Sequence, residues 1–307
     1  MRRWRQVDTT SIIVTTYDRA DLVGRATESA LAQAGVHEVV VVDDGSTDDT
    51  SAVLARFEDR IRVVRQANAG LSAARNAGAE NATGTWIGFL DDDDRLLAGW
   101  LSHLGDAATH SAPTAIACCA ARYVDTTGSE IRIARPRPLG PAFGDRTALF
   151  LAGSFVVRRS AFIDIGGYAQ GLRCSHQTEL GLRLAQYLDE NDLDVACVDE
   201  PLVEITVRAP SARPMSSPEA LYEGSIMVLD RHRDRLGLDP RWLADFYSVA
   251  GVSAARLGRY SEARRLLLHA ARSNPGEARR WARLALAAFP PIGDRVWRSG
   301  EFQGLAA

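Results

Sequence analysis

Four short, apolar, β-branched segments recur within the first 90 residues, and a helix-forming segment follows each of the first three. A strand that is buried on both faces reads as such a continuous apolar run. Strands that alternate with helices of this length predict an α/β fold with a mostly parallel sheet. The predicted strands are 11–16, 39–42, 61–64 and 86–90, and the predicted helices are 21–33, 50–57 and 71–80.

The remainder of the chain is predicted to be less regular and then helical. Residues 135–141 predict a loop, 155–157 a strand and 179–188 a helix, while prolines and serines at 209–218 predict a linker. We therefore expect an α/β domain over residues 1–210, a linker over 211–218 and a small all-α region over 219–307.

The C-terminal region contains one stretch, residues 247–275, that resembles a tetratricopeptide repeat in register. One repeat cannot bury its own apolar face, so this stretch is expected to pack on the first domain or on a second subunit. Residues 230–298 contain 14 arginines against 7 acidic residues. That excess favours either a solvated helical face or docking to an acidic protein or an anionic membrane surface.

The composition excludes several classes of function. A net charge of −3 gives no reason to expect nucleic acid binding. All 36 basic residues are arginine, which excludes a lysine Schiff base and a P-loop lysine. No apolar run predicts a signal peptide or a membrane span. The four cysteines have apolar neighbours and predict buried free thiols, so we expect a cytoplasmic protein, with peripheral contact to the inner membrane face as an option.

Four consecutive aspartates, Asp91 to Asp94, follow the fourth predicted strand. Adjacent carboxylates raise one another's pKa values and destabilise the fold unless a cation neutralises them. Carboxylate oxygens suit Mg²⁺ or Mn²⁺, which takes its other ligands from water and substrate phosphates. Acidic residues are also favoured at helix starts, and Asp94 is expected to be largely a helix cap.

Two further motifs lie at the ends of predicted elements. Asp43-Asp44-Gly45-Ser46-Thr47-Asp48 follows the second strand and offers carboxylates to a nucleobase or ribose. Residues 68–78, with the sequence NAGLSAARNAG, begin a helix, and Gly70 is expected to leave backbone N–H groups free for an anion. Arg75 is placed to face a diphosphate or to pair with an aspartate.

The order and spacing of these motifs resemble glycosyltransferase family 2, strongly over residues 9–105 and more loosely to about 207. The matching segments are Thr16-Tyr17-Asp18-Arg19, Asp43 to Asp48, Asn68 to Gly78 and Phe89 to Asp94. The resemblance implies a GT-A fold, a UDP- or dTDP-sugar donor and a Mn²⁺ or Mg²⁺ cofactor. It implies that Thr15, Tyr17 and Asp44 flank the base of the donor, and that Asp91 and Asp93 are the outer acids of the metal motif, with Asp93 the direct ligand. Further candidates for donor binding, from their positions in the motifs, are Asp43, Gly70, Arg75, Asp91 and Asp92.

The acceptor half of the resemblance departs from the family at one position. Val157-Arg158-Arg159 and Gly166-Gly167-Tyr168 fit the family, as do Glu179 and Arg183. The aspartate that the family uses as general base is Gln177 here, and an amide cannot accept a proton from a sugar hydroxyl at neutral pH.

Three explanations compete for this departure. His176 could serve as the base or complete the metal shell, since an unperturbed imidazole titrates near neutral pH. Glu179 could serve instead, or the site could have lost the base function altogether. We expect a metal-dependent inverting glycosyltransferase that moves the sugar to a glycan, lipid-linked or small-molecule hydroxyl. The alternative is a non-catalytic nucleotide-sugar-binding or scaffold protein. A more remote alternative is a nucleotidyltransferase, which also uses an acidic metal site on an α/β sheet.

Overall fold

The structure is a computed structural model that describes residues 8–110, 113–208 and 217–289. Its strands are β1 (Thr10–Thr16), β2 (Glu38–Asp43), β3 (Arg62–Arg65), β4 (Trp86–Asp91), β5 (Arg95–Leu96), β6 (Thr114–Val124), β7 (Glu130–Ala134), β8 (Arg137–Pro138), β9 (Thr147–Ala148), β10 (Phe155–Arg158) and β11 (Asp194–Thr206). Its α-helices are α1 (Val23–Leu31), α2 (Thr50–Leu54), α3 (Leu71–Asn81), α4 (Trp100–His110), α5 (Arg159–Asp164), α6 (His176–Glu190), α7 (Pro218–Gly237), α8 (Pro240–Arg256), α9 (Tyr260–Ser273) and α10 (Ala278–Ala288).

Within the described ranges the central sheet has nine strands, in the order β3-β2-β1-β4-β10-β6-β11-β5 with β7 added beside β6. The first four strands of this order are β3, β2, β1 and β4, and they pair in parallel, as do β6 and β11. Strand β10 runs antiparallel between β4 and β6. The predicted α/β class with C-terminal helices is confirmed. The sheet of the described residues is mixed, with four parallel and four antiparallel strand pairings.

The parallel half of the sheet forms because its strands are buried apolar runs. Ile12, Ile13 and Val14 of β1 are fully buried, as are the valines of β2 apart from one slightly exposed side chain. Helix α3 lies against this surface, and a Cβ at Gly78 would come 2.3 Å from Cγ2 of Ile13. Glycine at this position therefore permits the close approach of helix to strand that places the start of α3 beside the sheet edge.

Three local expectations need correction. The helix expected over 50–57 ends at Leu54 and continues as a 3₁₀ helix over Ala55–Arg60. The segment expected to be a loop at 135–141 contains β8, which pairs with β9. Asp94 does not begin a helix, because β5 follows it directly and α4 starts only at Trp100.

The cysteine expectation was right for three residues and wrong for one. All four thiols are free, and Cys118, Cys119 and Cys174 are buried, but Cys197 is exposed. Cys197 lies on β11, where solvent reaches alternate side chains near the edge of the sheet.

The chain divides into two compact units. The first comprises residues 1–171 and 183–209, and the second comprises 172–182 and 210–307. The second unit therefore includes about the first two turns of α6, residues 176–182, which the expected boundary at 210 had placed in the first domain. Most of the expected linker lies outside the described residues, and its last two residues begin α7, where Ser217 caps the helix and Pro218 is its first residue.

The described part of the second unit is helical. Helices α8 and α9 pack closely, since a Cβ at Gly251 would lie 2.7 Å from Cγ of Leu267. Ala254, Ala263 and Ala270 are fully buried. The small residues of the repeat-like stretch thus permit close helix packing, while the tetratricopeptide resemblance itself stays a prediction. Among the described residues, no helix is long and apolar enough to span a bilayer.

Candidate functional site

The predicted donor residues meet at the carboxyl ends of three neighbouring parallel strands. In the register of the sheet, Thr15 of β1 lies beside Asp91 of β4, and Thr16 lies beside Asp43 of β2. Tyr17 follows β1 with its side chain 46% exposed. Ligands of open α/β sheets bind at this edge, so the topology brings the first two acidic motifs to one site.

Asp44 organises the loop that precedes α3. Its Oδ1 accepts hydrogen bonds from the Gln66 side chain at 2.6 Å and the Ala69 amide at 2.9 Å. Its Oδ2 accepts one from the Gly70 amide at 2.8 Å. The Gly70 amide was expected to be free for an anion, yet this carboxylate takes it. Since each carboxylate oxygen has two lone pairs, Oδ2 retains an acceptor position for a ligand.

Acidic side chains stabilise the turn after β2 by accepting hydrogen bonds from backbone amides. The Ser46 amide donates to Oδ1 of Asp43 at 2.8 Å, and Asp43 is only 1% exposed. Oδ1 of Asp18 accepts from the Thr47 amide at 2.7 Å, which lowers the pKa of Asp18. Oδ2 of Asp48 accepts from the Ala20 amide at 3.0 Å. These bonds join the two loops that flank the donor residues.

Arg75 lies buried beneath the aspartate cluster. Its Nη2 donates to Oδ1 of Asp91 at 2.6 Å, and the residue is 1% exposed. Its guanidinium carbon lies 5.0 Å from the centre of the Tyr168 ring. Nε and Nη1 are buried and have no hydrogen-bond partner among the described residues, so the hydrogen bond to Asp91 is the main polar compensation of this cation.

The negative charges of Asp92, Asp93 and Asp94 are not fully balanced by neighbouring cations or hydrogen-bond donors. Burial, followed by the charges of Asp93 and Asp91, raises the pKa of Asp92 to about 7. Burial and the charge of Asp91 also raise the pKa of Asp93. Asp94 is 4% exposed, and its Oδ1 accepts from the Thr206 amide at 2.9 Å; burial raises the pKa of Asp94 well above its usual value. Asp94 therefore ties the cluster to β11.

Three arginines that the sequence analysis did not select surround Asp93. Arg19 Nη1 and Arg208 Nε each lie 3.9 Å from Oδ2 of Asp93. Arg25 Nη2 donates to the backbone oxygen of Asp93 at 3.1 Å and to the Thr206 hydroxyl at 3.2 Å. A local signal existed only for Arg19, which ends the segment Thr16-Tyr17-Asp18-Arg19. Arg208 lies 115 positions away in the chain, and nothing local marks it.

The cluster fits a divalent cation by its chemistry. Its carboxylate oxygens are the ligands that Mg²⁺ and Mn²⁺ prefer, and its raised pKa values indicate unmet negative charge. In the described ranges, no group of three or more acidic, histidine or cysteine side chains is arranged to hold a metal ion. Mg²⁺ in proteins is usually bound by one or two carboxylates together with water and substrate phosphates.

Asn76 belongs to the motif of residues 68–78 but is not one of the predicted site residues. Its side chain donates to the backbone oxygen of Tyr168 at 2.9 Å and accepts from the Tyr168 amide at 2.8 Å. Tyr168 also packs edge-on against Phe89 of β4. The two bonds therefore fix the ring over which Arg75 lies.

The candidate bases belong to the second unit, whereas the donor residues belong to the first. His176 is the first residue of α6 and is 8% exposed. Glu179 is fully buried, and its Oε1 lies 3.1 Å from Nε2 of His232 and 3.7 Å from Nη1 of Arg231. Gln177 is half-buried. Glu179 is therefore engaged by two side chains of α7.

Known proteins match part of the chain in sequence and nearly all of it in fold. The succinoglycan biosynthesis protein ExoO of Rhizobium meliloti is 40% identical over 155 residues, which is 47% of this chain and 44% of that protein. ExoU of the same organism is 43% identical over 97 residues, 30% of this chain and 28% of that protein. The matches thus cover less than half the length of these relatives.

A solved structure, S. aureus TarS residues 1–349 in complex with UDP-GlcNAc, superposes with a TM-score of 0.63 at 16% identity. The superposition covers 96% of this chain and 93% of that one, and it confirms the expected GT-A fold. The family model described as glycosyl transferase family 2 matches residues 11–166, just over half of the chain. The chain belongs to glycosyl transferase family 2.

Proposed function

We propose that this protein transfers a sugar from a UDP- or dTDP-sugar to an acceptor hydroxyl. One observation carries the proposal, namely that Tyr17, Asp44, Arg75 and the aspartate cluster converge at the ends of β1, β2 and β4. At this one edge of the sheet, the Tyr17 ring is exposed, Asp44 Oδ2 keeps one free acceptor position, and the Arg75 guanidinium is buried beside the aspartates. Family membership supports the reaction type, and the complex of TarS with UDP-GlcNAc supports a nucleotide-sugar donor.

The nucleoside would lie against the ends of β1 and β2. The exposed Tyr17 ring offers a face for stacking on the base. The Thr15 hydroxyl is buried and has no partner in the part of the chain that the structure describes. Oδ2 of Asp44 accepts one further donor, such as a base N–H or a ribose hydroxyl. Asp43 and Gly70 would act indirectly, by shaping the two loops that hold these groups.

The diphosphate would lie beside the aspartate cluster, where Arg19 and Arg208 are only loosely paired with Asp93 at 3.9 Å. Arg75 would support this position from below by holding Asp91. Asp93 would bind Mn²⁺ or Mg²⁺ directly, with Asp91 and Asp92 in support. When bound, the cation supplies positive charge that stabilises a nucleoside diphosphate as the leaving group.

Sugar transfer also needs a base that removes the proton from the acceptor hydroxyl. We assign this role to His176 rather than Glu179, because Glu179 is fully buried and paired with His232 and Arg231. Attack opposite the leaving group would invert the anomeric carbon. The acceptor would be a glycan, lipid-linked or small-molecule hydroxyl.

A second function is favoured by Gln177 and by the engagement of Glu179. If neither His176 nor Glu179 can accept a proton, the chain binds a nucleotide sugar without transferring it. The repeat-like helices would then serve as a scaffold. Assays of binding and of turnover with the same donor separate the two functions.

The second unit offers a surface of positive charge to a partner. Exposed arginines lie on α9 and before it, and Trp281 and Phe289 are 44% and 63% exposed at the other end of the described helices. We propose contact with an anionic surface, the inner membrane face first. Sedimentation with vesicles that contain acidic phospholipids, against neutral vesicles, tests this contact.

The decisive experiment is a donor screen with the full chain. UDP- and dTDP-sugars are incubated with Mn²⁺, Mg²⁺ or EDTA, and binding and release of the nucleoside diphosphate are both measured. We expect divalent-dependent release with one donor, its loss in Asp93→Asn, and its retention in the surface control Asp106→Asn. Binding without release under every condition would overturn the enzyme function, and absence of binding would overturn both functions.

A further inference from the structure

Two of the four cysteines lie side by side on neighbouring strands of the first unit. Cys118 of β6 and Cys197 of β11 are register partners, and their Sγ atoms are 3.4 Å apart. Neighbouring strands lie about 4.8 Å apart, within the range of about 4.4–6.8 Å between the Cα atoms of disulfide-bonded cysteines. The backbone is therefore already at bonding distance, and only side-chain rotation must bring the sulfurs together.

The two thiols have unequal surroundings. Cys197 is exposed, whereas Cys118 is fully buried. The hydrogen bond between the thiols lowers the pKa of Cys197, and the same bond together with burial raises the pKa of Cys118. Cys197 can therefore meet a reagent from solvent, and Cys118 lies behind it as the second thiol. Sγ of Cys197 also lies 3.2 Å from the backbone oxygen of Thr147, so a reagent must displace this contact.

The other two cysteines provide an internal contrast. Cys119 is adjacent to Cys118 in β6, so its side chain points to the opposite face of the sheet, and burial raises its pKa to about 12. Cys174 is buried in the second unit, and its Sγ lies 3.0 Å from the backbone oxygen of Ala220. Neither combines exposure with a neighbouring thiol.

We propose that Cys197 and Cys118 form a dithiol modification site that reacts with low-molecular-weight disulfides of the glutathione type. The Cys197 thiolate attacks one sulfur of the small disulfide, forms a mixed disulfide and releases the first small thiolate. Cys118 then loses its proton and attacks Sγ of Cys197, which releases the second small thiolate. In total, two protein thiols are oxidised to one disulfide, and one small disulfide is reduced to two thiols.

The bridge would join two strands that continue to the candidate site. Strand β6 leads to Arg122, whose Nη2 donates to Oε2 of Glu204 at 2.6 Å, and β11 leads to Thr206, which holds Asp94. Between Cys197 and Glu204 the pairing of β11 with β6 shifts register. A bond between Cys118 and Cys197 restrains the unfolded chain and fixes these strands, so the oxidised protein should unfold at a higher denaturant concentration.

The test is to treat the full native chain with oxidised glutathione and to measure its intact mass and its peptides. We expect a loss of about 2 Da, a Cys118–Cys197 peptide and a higher unfolding midpoint that dithiothreitol reverses. Cys118→Ala should instead trap a glutathione adduct of about 305 Da on Cys197, and Cys197→Ser should not react. Cys119→Ser and Cys174→Ser are the matched controls and should behave as the parent chain.

Two results would overturn the proposal. One is that the native parent chain does not react while its denatured form does. The other is that Cys118→Ala, checked to be folded by its unfolding curve, acquires no adduct or acquires it at another cysteine. Neither result depends on donor binding or turnover, so this site and the proposed function are tested separately.

Discussion

Arg75 and Asp91 form a buried ion pair in which Nη2 of the arginine lies 2.6 Å from Oδ1 of the aspartate. The arginine is 1% exposed, whereas the aspartate side chain remains 32% exposed. The pair thus connects the closed interior below the site with the open edge above it. A cation held in this way stays charged, since the charge of Asp91 raises the pKa of Arg75 despite its burial.

The first prediction concerns this pair. Arg75→Met should destabilise the chain by about 3 kcal/mol, the lower end for breaking a buried pair, because Asp91 retains access to water. It should also weaken donor binding, because Asp91 loses the cation that holds it at the site. Chemical denaturation and titration with UDP measure the two effects.

A double-mutant cycle with Asp91→Asn provides the control. If the pair acts as a unit, the two destabilisations will be clearly less than additive. Additive effects would contradict an energetic coupling between Arg75 and Asp91. The matched single variant Arg173→Met, at an exposed pair with Glu223, should change stability little.

The second prediction concerns pH and the aspartate cluster. The pKa of Asp92 is about 7 in the folded chain and near 3.8 when unfolded. Between these values the unfolded state has lost a proton that the folded state keeps. The contribution of Asp92 to the free energy of unfolding therefore falls as pH rises from about 4 to 7, by up to about 1.4 kcal/mol per unit.

Asp92→Asn isolates this term. With both proteins in EDTA, the variant should become more stable relative to the parent as pH rises from about 4 to 7. Above pH 7 the difference in unfolding free energy should stay constant. Mn²⁺ should stabilise the parent more at pH 8 than at pH 5, because the cation competes with protons for the cluster. A difference that does not change with pH would contradict the raised pKa of Asp92.

The third prediction concerns the Asp44 loop. Asp44→Ala removes the acceptor for Gln66, Ala69 and Gly70, so the loop before α3 should lose its hydrogen bonds. We expect faster amide hydrogen exchange at Ala69 and Gly70 and a loss of UDP affinity on the order of 10- to 100-fold. Asp49→Ala, an exposed acid of the neighbouring turn, is the control and should leave both unchanged. Unaltered exchange in Asp44→Ala would show that other contacts hold the loop.

The sequence predicts the parallel half of the sheet, and the meeting of the candidate residues at one of its edges, because that information is local. Each of β1, β2 and β4 is an apolar run, and the residues that end each run reach the same edge by topology alone. Motif spacing then identifies Asp44, Arg75 and Asp93. Motif spacing does not show which hydrogen bonds these groups already make within the protein. The Gly70 amide, for example, donates to Oδ2 of Asp44.

The rest depends on contacts between distant parts of the chain. Arg208 reaches Asp93 and Thr206 reaches Asp94 only because β11 pairs in parallel with β6 beside the cluster. The same distance misled the assignment of Asp94 as a helix cap, since its partner is 112 positions away. His232 gave no signal as a partner of Glu179, because it lies 53 positions further along the chain in another helix.

The fourth prediction concerns the general base. Glu179 is buried between His232 and Arg231, and α7 departs from helical geometry at His232, with φ −127° and ψ 19°. This geometry favours an anchoring role for Glu179. Glu179→Gln should therefore lower the unfolding midpoint but keep measurable turnover, with the pH profile of kcat unchanged.

His176→Asn should behave in the opposite way if His176 removes the acceptor proton. We expect kcat to fall by about 100-fold or more, with UDP affinity and the unfolding midpoint close to those of the parent. His103→Asn, at an exposed histidine of α4, controls for the substitution itself. Loss of kcat in Glu179→Gln with retained stability, together with full activity in His176→Asn, would reverse the assignment and make Glu179 the base.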